Sequence, residues 1–135
     1  MSEVKKERPE FRNIHITQLV NYRLPLAGVI SILHRVSGAF MFLLLPLILY
    51  FLELSLRSEY SFAHLKGIAS YWLVKLVILG LSWAYLHHFC AGVRHLAMDS
   101  HAGLDKDSAR RSSVAVLAAS LTLTAVVALK LFGAF

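Results

Sequence analysis

The chain has 135 residues, 57% of them hydrophobic and 16% charged, and a mean hydropathy of +0.60. A water-soluble domain this small needs a largely polar surface, so most soluble classes are excluded. The formal net charge of +6 would suit a nucleic-acid binder if the cations formed a stripe, but they fall into clusters separated by apolar runs and read instead as topology signals. The composition implies an all-α integral membrane protein, and three crossings of roughly 20 residues nearly fill the length.

The polar segment 1–23 (MSEVKKERPEFRNIHITQLVNYR) carries Lys5, Lys6, Arg8, Arg12 and Arg23. It makes a poor secretory signal, because the apolar stretch behind it is longer than an h-region and lacks a small-residue cleavage pattern. It is therefore expected to stay on the mature protein. A transmembrane domain is expected over 24–135. The first helix is predicted over about 24–52, with Pro25 in its first turn, where an N–H is dispensable. Pro46 lies deep in its far half and should bend it or free a carbonyl. A polar loop is expected from Glu53 to Ser70. The second helix is predicted over about 71–94, with Tyr71 and Trp72 as interfacial aromatics. The third is predicted over about 113–132, with Lys130 able to snorkel. Five lysines and arginines precede the first span and four (Arg94, Lys106, Arg110, Arg111) lie between the second and third, against Arg57 and Lys66 between the first and second. This places the N-terminus in the cytoplasm and, with three crossings, the C-terminus on the far side.

Polar residues gather at one depth. Ser31, His34, Arg35 and Gly38 stand at i, i+3, i+4 and i+7, on one face of the first span. An arginine one or two turns inside the bilayer costs a few kcal/mol, so it faces a partner, a cavity or an anion unless it snorkels. In the second span His88, Gly92 and His95 share a face beside Ala84 and Ala91. A histidine among small residues suits an axial haem ligand: a nitrogen for the iron and no bulk where the macrocycle lies. The plainer alternative is a hydrogen bond to a neighbouring helix. His88 lies about 9 Å before Arg94 by helical rise, in the same half of the bilayer as Ser31, His34 and Arg35. His34, Arg35 and His95 are thus candidates for haem propionates, and Ser31 and Arg35 for a quinone carbonyl. His87 points about 100° from His88; it reads as a helix-contact or lipid-side residue and is the rival ligand. His15, His64 and His101 fall in polar segments, Cys90 reads as small packing, and Asp99 as a partner for Arg94 or for a peripheral protein. One cysteine builds neither a disulfide framework nor a thiolate metal site.

Two motifs then carry a family likeness: SILHRVSG at 31–38, preceded by Arg8-Pro9, and H-x3-G-x-RHL-x2-D from His88 to Asp99. The chain resembles the cytochrome b subunit of succinate dehydrogenase, a membrane anchor of respiratory complex II, from Arg8 through the third span. The resemblance implies a three-helix anchor that completes a haem-containing bundle with a second membrane anchor and catalyses nothing alone. Its partners would be a flavoprotein that oxidises succinate and an iron-sulfur protein that passes electrons to a quinone. By the same match His88 ligates haem b, the spacing to Gly92 and Arg94-His95 selecting it over His87, and the second anchor gives the other ligand. Ser31 and Arg35 line the quinone site, with Ile32 in its wall, while His34, His95 and Arg35 lie against the haem propionates. Ubiquinone is the expected quinone, with menaquinone and a fumarate reductase as the alternative. The setting implied is a bacterial inner membrane, N-terminus cytoplasmic and C-terminus periplasmic, with no nucleic-acid partner. An anchor of another dehydrogenase, and a haem-free structural anchor or small transporter subunit, remain open.

Overall fold

The computed structural model describes residue 17 and residues 23–133. It contains α1 (Leu26–Arg57), α2 (Glu59–Ala69), α3 (Trp72–Asp99) and α4 (Lys106–Leu131), and no strand among the described residues. Nearly all of the segment 1–23 lies outside them, His15 included.

Helices α1, α3 and α4 are long and apolar enough to cross a membrane. At 32, 28 and 26 residues they extend about 39–48 Å, well beyond a hydrocarbon core of about 30 Å, so their ends reach past it or the helices tilt. That surplus explains why each runs beyond its apolar stretch. Pro25 stands just outside α1 as its N-cap, with φ −65° and ψ 152°, not inside the first turn; its carbonyl accepts from Gly28 N (2.9 Å) and Val29 N (3.2 Å). The helix is continuous through Pro46, which leaves the Phe42 carbonyl without its usual partner.

The expected loop from Glu53 to Ser70 is instead mostly helical. Helix α1 continues to Arg57, stiffened by an Arg57–Glu53 pair at 2.8 Å one turn apart. Ser58 then turns extended (φ −162°) and opens α2 with a capping box. Its Oγ accepts from Ser61 N at 3.1 Å and its own N–H donates to Ser61 Oγ at 3.2 Å. The Ser61 hydroxyl also donates to the Leu54 carbonyl at 2.6 Å, fastening α2 to the end of α1. With 11 residues, about 16 Å, α2 is too short to cross.

Helix α4 begins at Lys106 and not near 113, because Asp105 caps it by accepting from Ser108 N at 2.9 Å. That bond from the Ser108 backbone holds the Asp105 carboxyl below the ordinary aspartate value. The sign follows: a carboxyl depressed on folding contributes stability above its unfolded pKa and loses it as pH falls through the folded one. Acidification below the usual aspartate range is therefore expected to fray the start of α4, seen as lost protection of the Ser108 amide in hydrogen exchange. Asp105→Asn, which caps without titrating, should remove the pH dependence; an unchanged dependence would put its origin elsewhere.

Helices α3 and α4 are antiparallel, since Lys75 near the start of α3 lies 5.5 Å over the ring of Phe132 at the end of α4. The three spans meet through Ile30, Ala91 and Val116, one from each, with Cys90 and Leu117 packed alongside. Buried Ser113 and Ser120 return their hydroxyls to carbonyls of α4 itself, Ala109 at 2.7 Å and Leu117 at 3.2 Å. The spans thus approach through small residues at no polar cost. Outward faces are apolar and open, as at Phe42 (75% exposed), Leu43 (71%) and Leu56 (77%). Water would not tolerate such a surface; a bilayer and membrane partners do.

Candidate functional site

The packed end of the bundle holds a cluster of histidines between α1 and α3. On α1 the stripe turned toward α3 is Ile30, His34, Ser37 and Gly38: Ile30 and Ser37 are buried and His34 is half-buried. On α3 the most buried stripe is His87, Ala91 and Arg94, at i, i+4 and i+7. His88, Gly92 and His95 flank it by about 100° and face His34. The His34 and His88 rings stack at 4.1 Å and 14°, and His95 tilts against His34 at 4.9 Å and 45°.

His88 is oriented by α1. Its Nδ1 lies 3.0 Å from the His34 carbonyl, and a carbonyl only accepts, so Nδ1 carries the proton. With Nδ1 donating, Nε2 is the nitrogen left to offer a lone pair, the arrangement that a carbonyl bonded to the other ring nitrogen imposes on metal-binding histidines. Ser37 completes the fixing: its hydroxyl donates to the same carbonyl at 2.9 Å and its oxygen stands 3.3 Å from Nδ1. No hydrogen bond reaches Nε2 among the described residues.

Gly38 allows the helices this close, while Gly92 sits at ordinary contact distance. A Cβ on Gly38 would lie 2.8 Å from His88 Cε1, and one on Gly92 would lie 3.5 Å from His34 Nε2. Gly38→Ala is accordingly expected to push the His88 ring off the His34 carbonyl. Where a chromophore is bound to His88 its absorption bands should shift or weaken, although alanine favours the helix itself by roughly 1 kcal/mol. Unaltered bands in the variant would show that the ring can give way freely.

The expected site residues divide into two groups. His34, His88 and His95 are brought together. Ser31 is half-buried beside them, while Ile32 (46% exposed) and Arg35 (exposed) turn outward. Among the described residues no hydrogen bond ties Ser31 or Arg35 to the cluster. His87 is a helix contact, 1% exposed, which overturns the lipid-side alternative. It tilts against Trp83 at 5.4 Å, and its enclosed ring nitrogens meet the backbone of Ile30 on α1 only at poor hydrogen-bond geometry. Arg94 does not pair with Asp99: it is buried and its Nε donates to Ser112 at 2.9 Å, while Asp99 is exposed at the end of α3. His64 and His101 are exposed, and Cys90 packs against the core as expected. Ser37 escaped the sequence reading, although its spacing of seven from Ile30 and three from His34 marks the same stripe. No three His, Cys, Asp or Glu side chains converge as a metal set among the described residues. The orientation of His88 Nε2 fits a group that takes a nitrogen from this chain.

These features define a polytopic helical membrane subunit whose polar chemistry is concentrated at one end of its bundle. Residues 6–127 match the model of the succinate dehydrogenase/fumarate reductase transmembrane subunits, and the chain belongs to that family. It is similar to the succinate dehydrogenase cytochrome b556 subunit of Paracoccus denitrificans, with 37% identity over 84% of this chain and 87% of the relative. The subunit of the same name from Coxiella burnetii is 40% identical over 60% of this chain and 66% of its own length. That from Rickettsia felis is 28% identical over 90% and 91%.

Proposed function

We propose that the chain is the membrane-anchoring cytochrome b subunit of a succinate:quinone oxidoreductase, holding haem b through His88 and forming part of the site where quinone is reduced. The observation that carries this reading is the His88 ring: its proton is committed to the His34 carbonyl, which leaves Nε2 as a ligand nitrogen. The relatives' name, cytochrome b556 subunit of succinate dehydrogenase, supports a b-type haem and the complex it serves. One nitrogen from this chain calls for a second axial ligand from another membrane subunit. His34 and His95, with Arg35 next to His34 in the chain, supply donors for propionates. Haem b, when bound, supplies a one-electron carrier.

Quinone, with ubiquinone the expected one, belongs beside Ser31 and Arg35, with Ile32 as apolar wall. An exposed guanidinium and a half-buried hydroxyl on adjacent turns of α1 are suited to polarise a carbonyl oxygen. The electrons come from succinate through flavoprotein and iron-sulfur partners. The distribution of lysine and arginine supports a cytoplasmic N-terminus and a C-terminus on the far side, and the bacterial relatives support an inner membrane with that far side periplasmic. The test is a dithionite-reduced minus oxidised spectrum of the purified complex with subunit composition read on the same sample. A b-type band in a complex of flavoprotein, iron-sulfur protein and two anchors is expected. An intact complex without that band would leave an anchor that is not a cytochrome.

A further inference from the structure

Arg94 stands apart from the histidine cluster. It lies six residues beyond His88, about 120° around α3, and faces α4 where His88 faces α1. Only 7% of its surface is exposed, and its Nε is taken by Ser112. No acidic side chain and no further hydrogen bond meets its terminal nitrogens among the described residues. Those nitrogens are not sealed off: Arg94 lines a furrow of about 500 Å³ between α3 and α4. Ala102 and Gly103 line the furrow toward its polar end, and Phe89, Val93, Ala115 and Ala119 line it further along.

A buried cation without a counter-charge is costly in a membrane span and calls for an anion. Arg94 sits about 8 Å by helical rise from the end of α3, at the depth of lipid headgroups. The first turns of α4 add Lys106, Arg110 and Arg111 at the same end, a field that draws anionic lipid. Charge and depth select the occupant: a buried cation at the headgroup level above an apolar furrow matches a phosphate with its acyl chain below.

We propose that the furrow is a binding site for one anionic phospholipid, its phosphate held by the terminal nitrogens of Arg94 and an acyl chain laid along the α3–α4 walls. A planar guanidinium pairs with phosphate through two parallel hydrogen bonds, and the apolar walls exclude water from the chain below.

The test uses the whole complex purified from membranes, delipidated and titrated with phosphatidylglycerol, phosphatidylcholine or inorganic phosphate. Bound lipid is counted by native mass spectrometry. The wild type should retain phosphatidylglycerol in preference to phosphatidylcholine. Arg94→Gln should weaken that retention about tenfold or more, and Arg94→Lys should restore part of it. Ala119→Leu, which fills the furrow with Arg94 in place, should weaken it too, and it decides the matter where Arg94→Gln fails to assemble. Equal retention by wild type and Ala119→Leu would overturn the proposal. So would displacement of the lipid by inorganic phosphate, which would mark a free-anion site. Loss of the second anchor from Arg94→Gln with lipid content unchanged would do the same, by assigning Arg94 to a partner's carboxylate.

Discussion

Replacing His88 with leucine is expected to abolish the reduced-minus-oxidised b-type signal of the complex while the four subunits still copurify. The expectation is large because the proposed ligand nitrogen is lost outright: the ring of His34 stacks on that of His88 and His95 tilts against His34, each held on its own helix, and His87 is enclosed on another face of α3. Folding should survive, because leucine is of similar bulk and the His34 carbonyl keeps the Ser37 hydroxyl as a donor. His87→Leu is the contrasting variant. The enclosed His87 ring is poorly paired, against the Ile30 backbone, and a poorly paired buried polar group costs about 1–3 kcal/mol, so an apolar side chain there should leave the haem band in place with little loss of stability. A lost band in His87→Leu with a retained one in His88→Leu would exchange the two roles.

The contrast between the two histidines shows how far the sequence reaches. Spacing alone puts His88, Gly92 and His95 on one face and His87 on another, and three apolar runs with their flanking charges announce three spans. The tautomer of His88 was not legible, because it depends on a carbonyl of α1 brought close across Gly38, a contact with no local signal. Nor was the burial of Arg94. Hydropathy charges an arginine the same price wherever it stands, and only the packing of α3 on α4 gives it Ser112. Helix ends were misjudged for a related reason. Apolar runs measure the part of a helix inside hydrocarbon, whereas Asp105, Ser58 and the Glu53–Arg57 pair extend or begin helices in polar sequence. The Ser58-x-x-Ser61 box was visible in the sequence, but its polar setting read as loop.

Arg35→Leu is expected to lower succinate:quinone activity about tenfold to a hundredfold in kcat/KM for quinone, the loss of a charged hydrogen bond of roughly 1.5–3 kcal/mol. Ser31→Ala, which removes a neutral donor worth about 1 kcal/mol, should cost only a few-fold. Succinate oxidation by an artificial acceptor should hold in both, because the proposed function places oxidation of the dicarboxylate on another subunit. Arg35 is exposed on α1 and carries no hydrogen bond among the described residues, so its removal should not unfold this chain, and the effect reads on ligand contact. Recording the haem spectrum beside the kinetics separates its two assigned contacts. A normal band with poor quinone kinetics puts Arg35 at the quinone, and a shifted band with normal kinetics puts it at a propionate. A parallel fall in both activities, with assembly intact, would contradict the division of labour between the membrane anchor and the succinate-oxidising subunit.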